Sequence, residues 1–126
     1  MRAVDTNVLV RLLVRDDHAQ VAAARSYVAA GAWVSHLVLA EAVWVLSFSY
    51  GAQHKQLVAL LDVLVDDAEL SLQEPEVVRA ALDAFRDHPK LSFSDCLVLE
   101  IAKKAGHTPL GTFDRALAKQ PDSERL

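Results

Sequence analysis

The sequence predicts an α/β fold in which a central, mainly parallel sheet is flanked by helices. Short apolar segments alternate along the chain with longer segments whose apolar residues recur at the helical period. Glycines such as Gly31, Gly51 and Gly106 stand between them as stop signals. The 126 residues are 52% hydrophobic and 24% charged, which is a globular composition. This length fits one domain spanning residues 1–126, with a core that needs no disulfide.

Local signals place each element in turn. Asp16 or Asp17 is expected to cap the second helix, and Pro75 is well suited to the first position of the fifth. The predicted strands are 2–5, 33–35, 70–72 and 109–113. The predicted helices are 7–14, a second one that runs from its cap at Asp16 or Asp17 through residue 30, 36–50, 53–66, 75–87, 94–106 and a short last one opened by Asp114. The tail from Gln120 to Leu126 matches neither pattern.

Cysteine usage and hydropathy indicate a cytoplasmic protein without a membrane segment. Cys96 is the only cysteine, so neither an intrachain disulfide nor a cysteine zinc cluster is expected, and we interpret it as a small buried residue. The N-terminus carries charges where a signal peptide needs an apolar stretch. The longest apolar run, residues 37–46, is interrupted by Glu41 and is too short to cross a bilayer.

The formal net charge of −4 argues against a nucleic-acid partner, because such proteins are usually basic. The negative charge is compatible with a nucleic-acid partner if carboxylates form a metal site, because bound cations neutralise them locally. The 13 Lys and Arg residues can still form a local basic rim.

Four acidic residues stand at the edges of apolar elements. Asp5 closes the first strand and Asp114 follows the last clear strand, Asp95 begins a helix, and Glu41 lies within an apolar helical segment. Ligands of parallel sheets bind beyond the carboxyl ends of the strands, so we expect these side chains to converge in one cleft there. Each has a structural alternative, namely a turn or helix-cap role for the aspartates and a solvent-facing position for Glu41.

Together, the four acids point to hydrolysis with metal-activated water. Mg²⁺ prefers oxygen ligands and keeps several waters. Carboxylates around a cleft hold one or two such ions, which activate water and stabilise charge on a phosphodiester. An aspartyl-nucleophile phosphatase would need a second acid two residues after Asp5, and position 7 is Asn.

The chain resembles the PIN-domain nucleases over nearly its whole length, and most closely the VapC-type toxins of bacterial toxin–antitoxin pairs. The resemblance is carried, in chain order, by VDTNVL at residues 4–9, LAEAVWVL at 39–46, FSDCL at 93–97 and TFD at 112–114. The segment LLVRDD at 12–17 is also typical of the subgroup. The polar tail, 122–126, departs from the usual last strand of the family.

The resemblance implies a three-layer α/β/α fold and Mg²⁺- or Mn²⁺-dependent endoribonuclease activity. It assigns metal-site and catalytic roles to the four acids, with Asp5 and Asp95 as the principal ligands. The supporting polar residues would be Thr6, Asn7 and Thr112. The alternatives are a PIN nuclease that acts on DNA or in RNA processing without an antitoxin, and a non-catalytic PIN-like binding module.

Other residues are assigned more ordinary roles. Arg11 and Arg115 lie near site residues and are candidates for substrate phosphate contacts, although surface salt bridges are the commoner fate of arginine. Trp33 and Trp44 are expected in the core. The five histidines show no metal-ligand spacing.

The second, third and fourth helices carry more apolar residues than one small core needs. On the second and third helices these residues include Val21, Ala24, Tyr27, Val28, Leu39, Val43, Leu46 and Tyr50, and on the fourth they extend from Leu57 to Val65. We therefore expect a homodimer, together with an antitoxin segment held in a groove between these helices.

Overall fold

The computed structural model describes all residues from Met1 to Leu126 and divides the chain into two compact units. Unit 1 is Met1–Pro75 and unit 2 is Glu76–Leu126. Helices and parallel strands occur in both units, which confirms the α/β class predicted from the sequence. None of the seven helices has the length and apolar character that a bilayer crossing requires.

Unit 1 contains a parallel three-stranded sheet in the order β1-β2-β3. Its elements are β1 (Arg2–Ala3), α1 (Thr6–Val14), α2 (His18–Val28), β2 (Ala32–Val34), α3 (His36–Phe48), α4 (His54–Val65) and β3 (Leu70–Leu72). The register pairs Ala3 with Trp33 and Trp33 with Ser71. The strands are only two or three residues long, so most of the core comes from helices.

Side-chain caps start the helices that follow the strands of unit 1. The side chain of Asp5 accepts a hydrogen bond from the Val8 amide at the start of α1, and Ser35 accepts one from the Val38 amide at the start of α3. These bonds satisfy amide groups that have no partner inside the helix. Because both caps come directly after a strand region, they fix polar side chains at the carboxyl ends of β1 and β2.

Unit 2 contains a two-stranded parallel sheet and three helices. Its elements are α5 (Pro75–Asp87, whose first residue is the last of unit 1), α6 (Phe93–Ala105), β4 (Leu110–Thr112), α7 (Arg115–Ala118) and β5 (Ser123–Arg125). Strands β4 and β5 pair with Thr112 opposite Arg125. The rings of Phe85 and Phe93 meet edge to face at 5.8 Å between centroids and join α5 to the start of α6.

The structure resolves the ambiguous tail and corrects two expectations from the sequence. The polar tail does form a strand, β5, because β4 supplies a parallel partner for its backbone. Trp33 is 39% exposed, since in β2 only Ala32 and Val34 point inward. Trp44 is 61% exposed, because the inward face of α3 is set by other positions. That inward face consists of Leu39, Ala42, Val43 and Leu46.

The exposed apolar residues of α3 are therefore not the ones that the sequence led us to expect. Leu39, Val43 and Leu46 are buried and belong to the core. Exposed apolar surface on α3 comes instead from Leu37, Trp44 and Phe48. Val63, which falls off the main apolar face of α4, is exposed as its position predicts.

Candidate active site

Thr6 joins two of the predicted acids in unit 1. Its Oγ1 donates a hydrogen bond of 3.1 Å to Oε2 of Glu41, 35 residues away. Asp5, the neighbour of Thr6, accepts the Val8 amide on Oδ1 at 3.1 Å. The start of α1 and one face of α3 thus bring Asp5, Thr6 and Glu41 into one cluster. Glu41 itself is exposed rather than surrounded by apolar groups, so its charge carries little desolvation cost.

Asp95 lies in the first turn of α6 in unit 2 and takes part in a reciprocal cap with Ser92. Its amide donates to Oγ of Ser92 at 3.0 Å, and its Oδ2 accepts the Ser92 amide at 3.4 Å. This is a capping box with Asp in the third helical position. The two bonds fix the carboxylate at the positive end of α6, where the helix dipole favours an anion.

Asp114 and Thr112 are coupled at the end of β4. The Asp114 amide donates to Thr112 Oγ1 at 3.0 Å, and Asp114 Oδ1 accepts the Leu117 amide at 2.8 Å. Thr112 therefore supports the backbone of Asp114. Asn7, the remaining supporting candidate, is exposed and lines a groove between α1 and α2.

Asp5, Asp95 and Asp114 all have the structural role that was the alternative to a catalytic one, because each caps or stabilises the start of a helix. A cap engages only one carboxylate oxygen in each case. An ionised carboxylate has about four acceptor sites, so capping leaves capacity for a cation. The caps hold the aspartates in defined positions, which a cation site requires.

Considered separately, each unit offers carboxylate oxygens, which are the ligands that a hard divalent cation prefers. Glu41 accepts a hydrogen bond from Thr6, and Asp5 precedes Thr6 in the chain. Mg²⁺ is commonly held by one or two carboxylates together with water. Taken by itself, neither unit contains a group of three or more His, Cys, Asp or Glu side chains that could hold a metal ion. A cation held by either unit alone would therefore take most of its ligands from water.

Arg11 is engaged in a polar cluster at the far end of α1. Its guanidinium donates hydrogen bonds to Asp16 and to the Tyr50 hydroxyl. The bond with Tyr50, with the charge of Asp16, raises the pKa of Arg11 above its ordinary value. This is the surface ion pair that the sequence leaves as the alternative for Arg11. Arg115 is exposed in the first turn of α7, directly after Asp114.

Burial suppresses the chemistry of Cys96. The side chain is 2% exposed, and burial, followed by the charges of Asp95 and Glu100, raises the pKa of its thiol to about 11. Because the thiolate is the reactive form, Cys96 is not a nucleophile at neutral pH. Its place next to Asp95 reflects packing of α6, as expected from the sequence.

Two surface features were not identified from the sequence. The rings of Trp44 and Phe48 stack at 4.9 Å with 6° between their planes, and both are exposed. Their spacing of four residues on a helix is the signal that predicts such contact. The second feature is Tyr50, whose bond to Arg11 depends on how α1 and α3 pack and leaves no local trace in the sequence.

Charge is unevenly divided between the two units. Unit 1 carries five Lys and Arg against nine Asp and Glu, whereas unit 2 carries eight of each. The whole net charge of −4 thus resides in unit 1, together with Asp5 and Glu41. Unit 2 is neutral and supplies most of the cationic side chains available to a polyanion.

Comparison with protein families agrees with these features. The model of the PIN domain matches residues 2–122 and therefore runs through both units. Comparisons with curated proteins and with solved structures found no match. The helices and parallel strands are consistent with the PIN-like fold, and the aspartates that follow β1 and β4 lie where ligands of parallel sheets bind. The chain belongs to the PIN-domain family, whose members are generally nucleases and typically use divalent metal ions.

Proposed function

We propose that this protein is a Mg²⁺- or Mn²⁺-dependent endoribonuclease. The observation that carries the proposal is the Thr6–Glu41 hydrogen bond, because it joins the first two acidic motifs of a PIN-family chain at the carboxyl end of β1. Asp95 and Asp114 complete the proposed set of four catalytic acids. Both are fixed by hydrogen bonds at helix starts.

The residues of the chain have separate roles in this proposal. The four carboxylates hold the cation, which when bound supplies activation of water and stabilisation of phosphodiester charge. Thr6 orients Glu41 and Thr112 orients the backbone of Asp114. In this proposal Arg115, which follows Asp114 in the chain, contacts a phosphate of the substrate. Arg11 serves the fold through Asp16 and Tyr50.

A toxin role in the cytoplasm follows as the finer part of the proposal. Its support is the likeness of the four motifs to VapC-type toxins and an apolar groove of about 390 Å³ in unit 1. The groove is lined by Leu13, Val14, Leu46, Tyr50, Ala52, Gln56, Ala59 and Leu60. An apolar helix of an antitoxin suits a groove of this composition. Ribonuclease assays with the product of the neighbouring upstream gene test this, and unchanged cleavage at saturating partner would contradict it.

The proposed homodimer uses the exposed face of α3. Leu37, Trp44 and Phe48 are exposed and recur at helical spacing, which forms an apolar strip along one side of α3. A second copy of the same helix is a self-complementary partner for such a strip. Light scattering of wild type, Trp44→Ala and, as control, Val63→Ala measures the mass. Dimers of wild type and the control with a monomeric Trp44→Ala support this interface, whereas a monomeric wild type contradicts it.

The nuclease proposal is tested on matched single-stranded RNA and DNA of the same sequence. Metal-dependent cleavage of RNA supports the ribonuclease. Cleavage of DNA in preference to RNA would assign the site to a DNA nuclease instead. Absence of cleavage on both substrates with either metal would point to a non-catalytic binding module.

A further inference from the structure

Phe113 is an exposed aromatic residue directly beside one of the proposed catalytic acids. It follows β4 and precedes Asp114, and 79% of its surface is open to water. An apolar ring in this position contributes little to the core of unit 2. The reason for an aromatic side chain here is therefore to be sought in what binds to it.

The backbone that carries Phe113 is fixed on both sides. Thr112 O accepts the Leu126 amide at 2.9 Å, and Thr112 Oγ1 accepts the Asp114 amide at 3.0 Å. Asp114 Oδ1 in turn accepts the Leu117 amide at 2.8 Å. These bonds bind the turn to β5 and to α7, so the ring projects from a defined position. A ligand that stacks on Phe113 consequently costs little ordering of the backbone.

Two arginines stand next to Phe113, one in the chain and one in the register of the sheet. Arg115 follows Asp114 in the chain, and Arg125 is opposite Thr112 in the register of β4 and β5. The turn lies in unit 2, which is neutral and contains eight of the 13 Lys and Arg residues. A nucleotide presents an aromatic base and an anionic phosphate, which match an aromatic ring with neighbouring guanidinium groups.

We propose that Phe113 is a base-stacking residue that holds an unpaired nucleobase of the substrate beside Asp114. The inference rests on the proposed ribonuclease function and adds a substrate-selecting residue to it. A base can stack on Phe113 only when it is outside a duplex, so the residue favours single-stranded loops and ends over paired RNA. Stacking tolerates all four bases, and any sequence preference must come from other contacts.

Binding of a fluorescent single-stranded RNA oligonucleotide tests the proposal. The Asp5→Asn background with Mg²⁺ present is used to prevent cleavage. Phe113→Ala should weaken binding roughly five- to a hundredfold, the range for loss of one stacked base. Phe113→Trp should retain affinity and Phe113→Leu should not, because Leu keeps apolar area but has no π-face. Val98→Ala, at another exposed apolar position of unit 2, is the matched control and should bind as the parent does.

An abasic series separates stacking from a general effect on the fold. Oligonucleotides that each lack one base should reveal one position at which the parent loses affinity and Phe113→Ala loses nothing further. Equal losses by both proteins at every position, or unchanged binding by Phe113→Ala, would overturn the stacking role. If wild type cleaves RNA in that case, the proposed function survives. A wild-type protein that neither binds nor cleaves RNA overturns both.

Discussion

The Thr6 hydroxyl lies 3.1 Å from Glu41 Oε2 and ties the start of α1 to the exposed face of α3. This bond connects motifs that are 35 residues apart in the chain. It forms because α1 packs on α3, with Leu9 of one helix and Leu39 of the other in the core. The position of Glu41 therefore depends on helix packing, while its charge remains in water.

Asp5 has a structural and a proposed catalytic role, and two substitutions separate them. Asn is as good an N-cap as Asp, whereas Ala is not. We expect Asp5→Ala to lower the free energy of unfolding by about 1 kcal/mol and Asp5→Asn to change it little. Both should abolish most RNA cleavage, because neither carries the charge. Chemical denaturation measures the first quantity, and full activity in Asp5→Asn would remove the carboxylate from the reaction.

Thr6→Val removes the hydroxyl that orients Glu41 and nearly preserves the shape of the side chain. We expect the apparent metal affinity to fall roughly ten- to a hundredfold, as is typical when a supporting partner of a ligand is lost. Thr6→Ser keeps the donor and is the control. Titration of activity against Mg²⁺ concentration measures the effect. Equal metal dependence in Thr6→Val and wild type would show that the bond is irrelevant to the site.

Metal binding should stabilise the folded protein through the proposed ligands. Mg²⁺ at 100 times its dissociation constant adds about 2.7 kcal/mol to a protein with one site. We expect the melting temperature of wild type to rise more than that of Asp95→Asn. Asp122→Asn is the matched control, since Asp122 is an exposed acid outside the motifs and Asn tolerates its positive φ of 66°. An equal rise in all three proteins would speak against a site that uses Asp95.

The raised pKa of Cys96 predicts slow alkylation of the native protein. At pH 8 a thiol with a pKa of about 11 has roughly a hundredfold less thiolate than one with the ordinary value of 9.0. Iodoacetamide should modify the unfolded chain at least that much faster, and burial adds to the difference. Mass spectrometry follows the reaction. Rapid labelling of the folded protein would contradict the burial of Cys96.

Local chemistry in the sequence predicts much of the fold. The strand at 70–72 and the helix at 75–87 have the expected bounds, because apolar–polar alternation marks the strand and Pro75 marks the start of the helix. Asp114 opens a short helix as expected, since the cap is formed by residues within one turn. The caps at Asp95 and Asp114 involve only residues within one helical turn, so the sequence predicts them.

Features that depend on packing were not predictable in the same way. A helical period places Glu41, Trp44 and Phe48 near one face, but which face points inward is decided by α1. The pairing of Tyr50 with Arg11 likewise requires two helices to meet. The strand at Ser123–Arg125 has a polar sequence and forms because β4 offers backbone partners.

The most direct test of the central claim is cleavage of single-stranded RNA by purified wild type and Asp5→Asn, with Mg²⁺, with excess chelator, and after metal is restored. The proposed mechanism predicts cleavage by wild type that chelator stops and Mg²⁺ or Mn²⁺ restores. It predicts little or no cleavage by Asp5→Asn under any of these conditions, although the mutant melts at or above the temperature of metal-free wild type. Wild-type cleavage that persists in full chelation, or undiminished cleavage by Asp5→Asn, would contradict it.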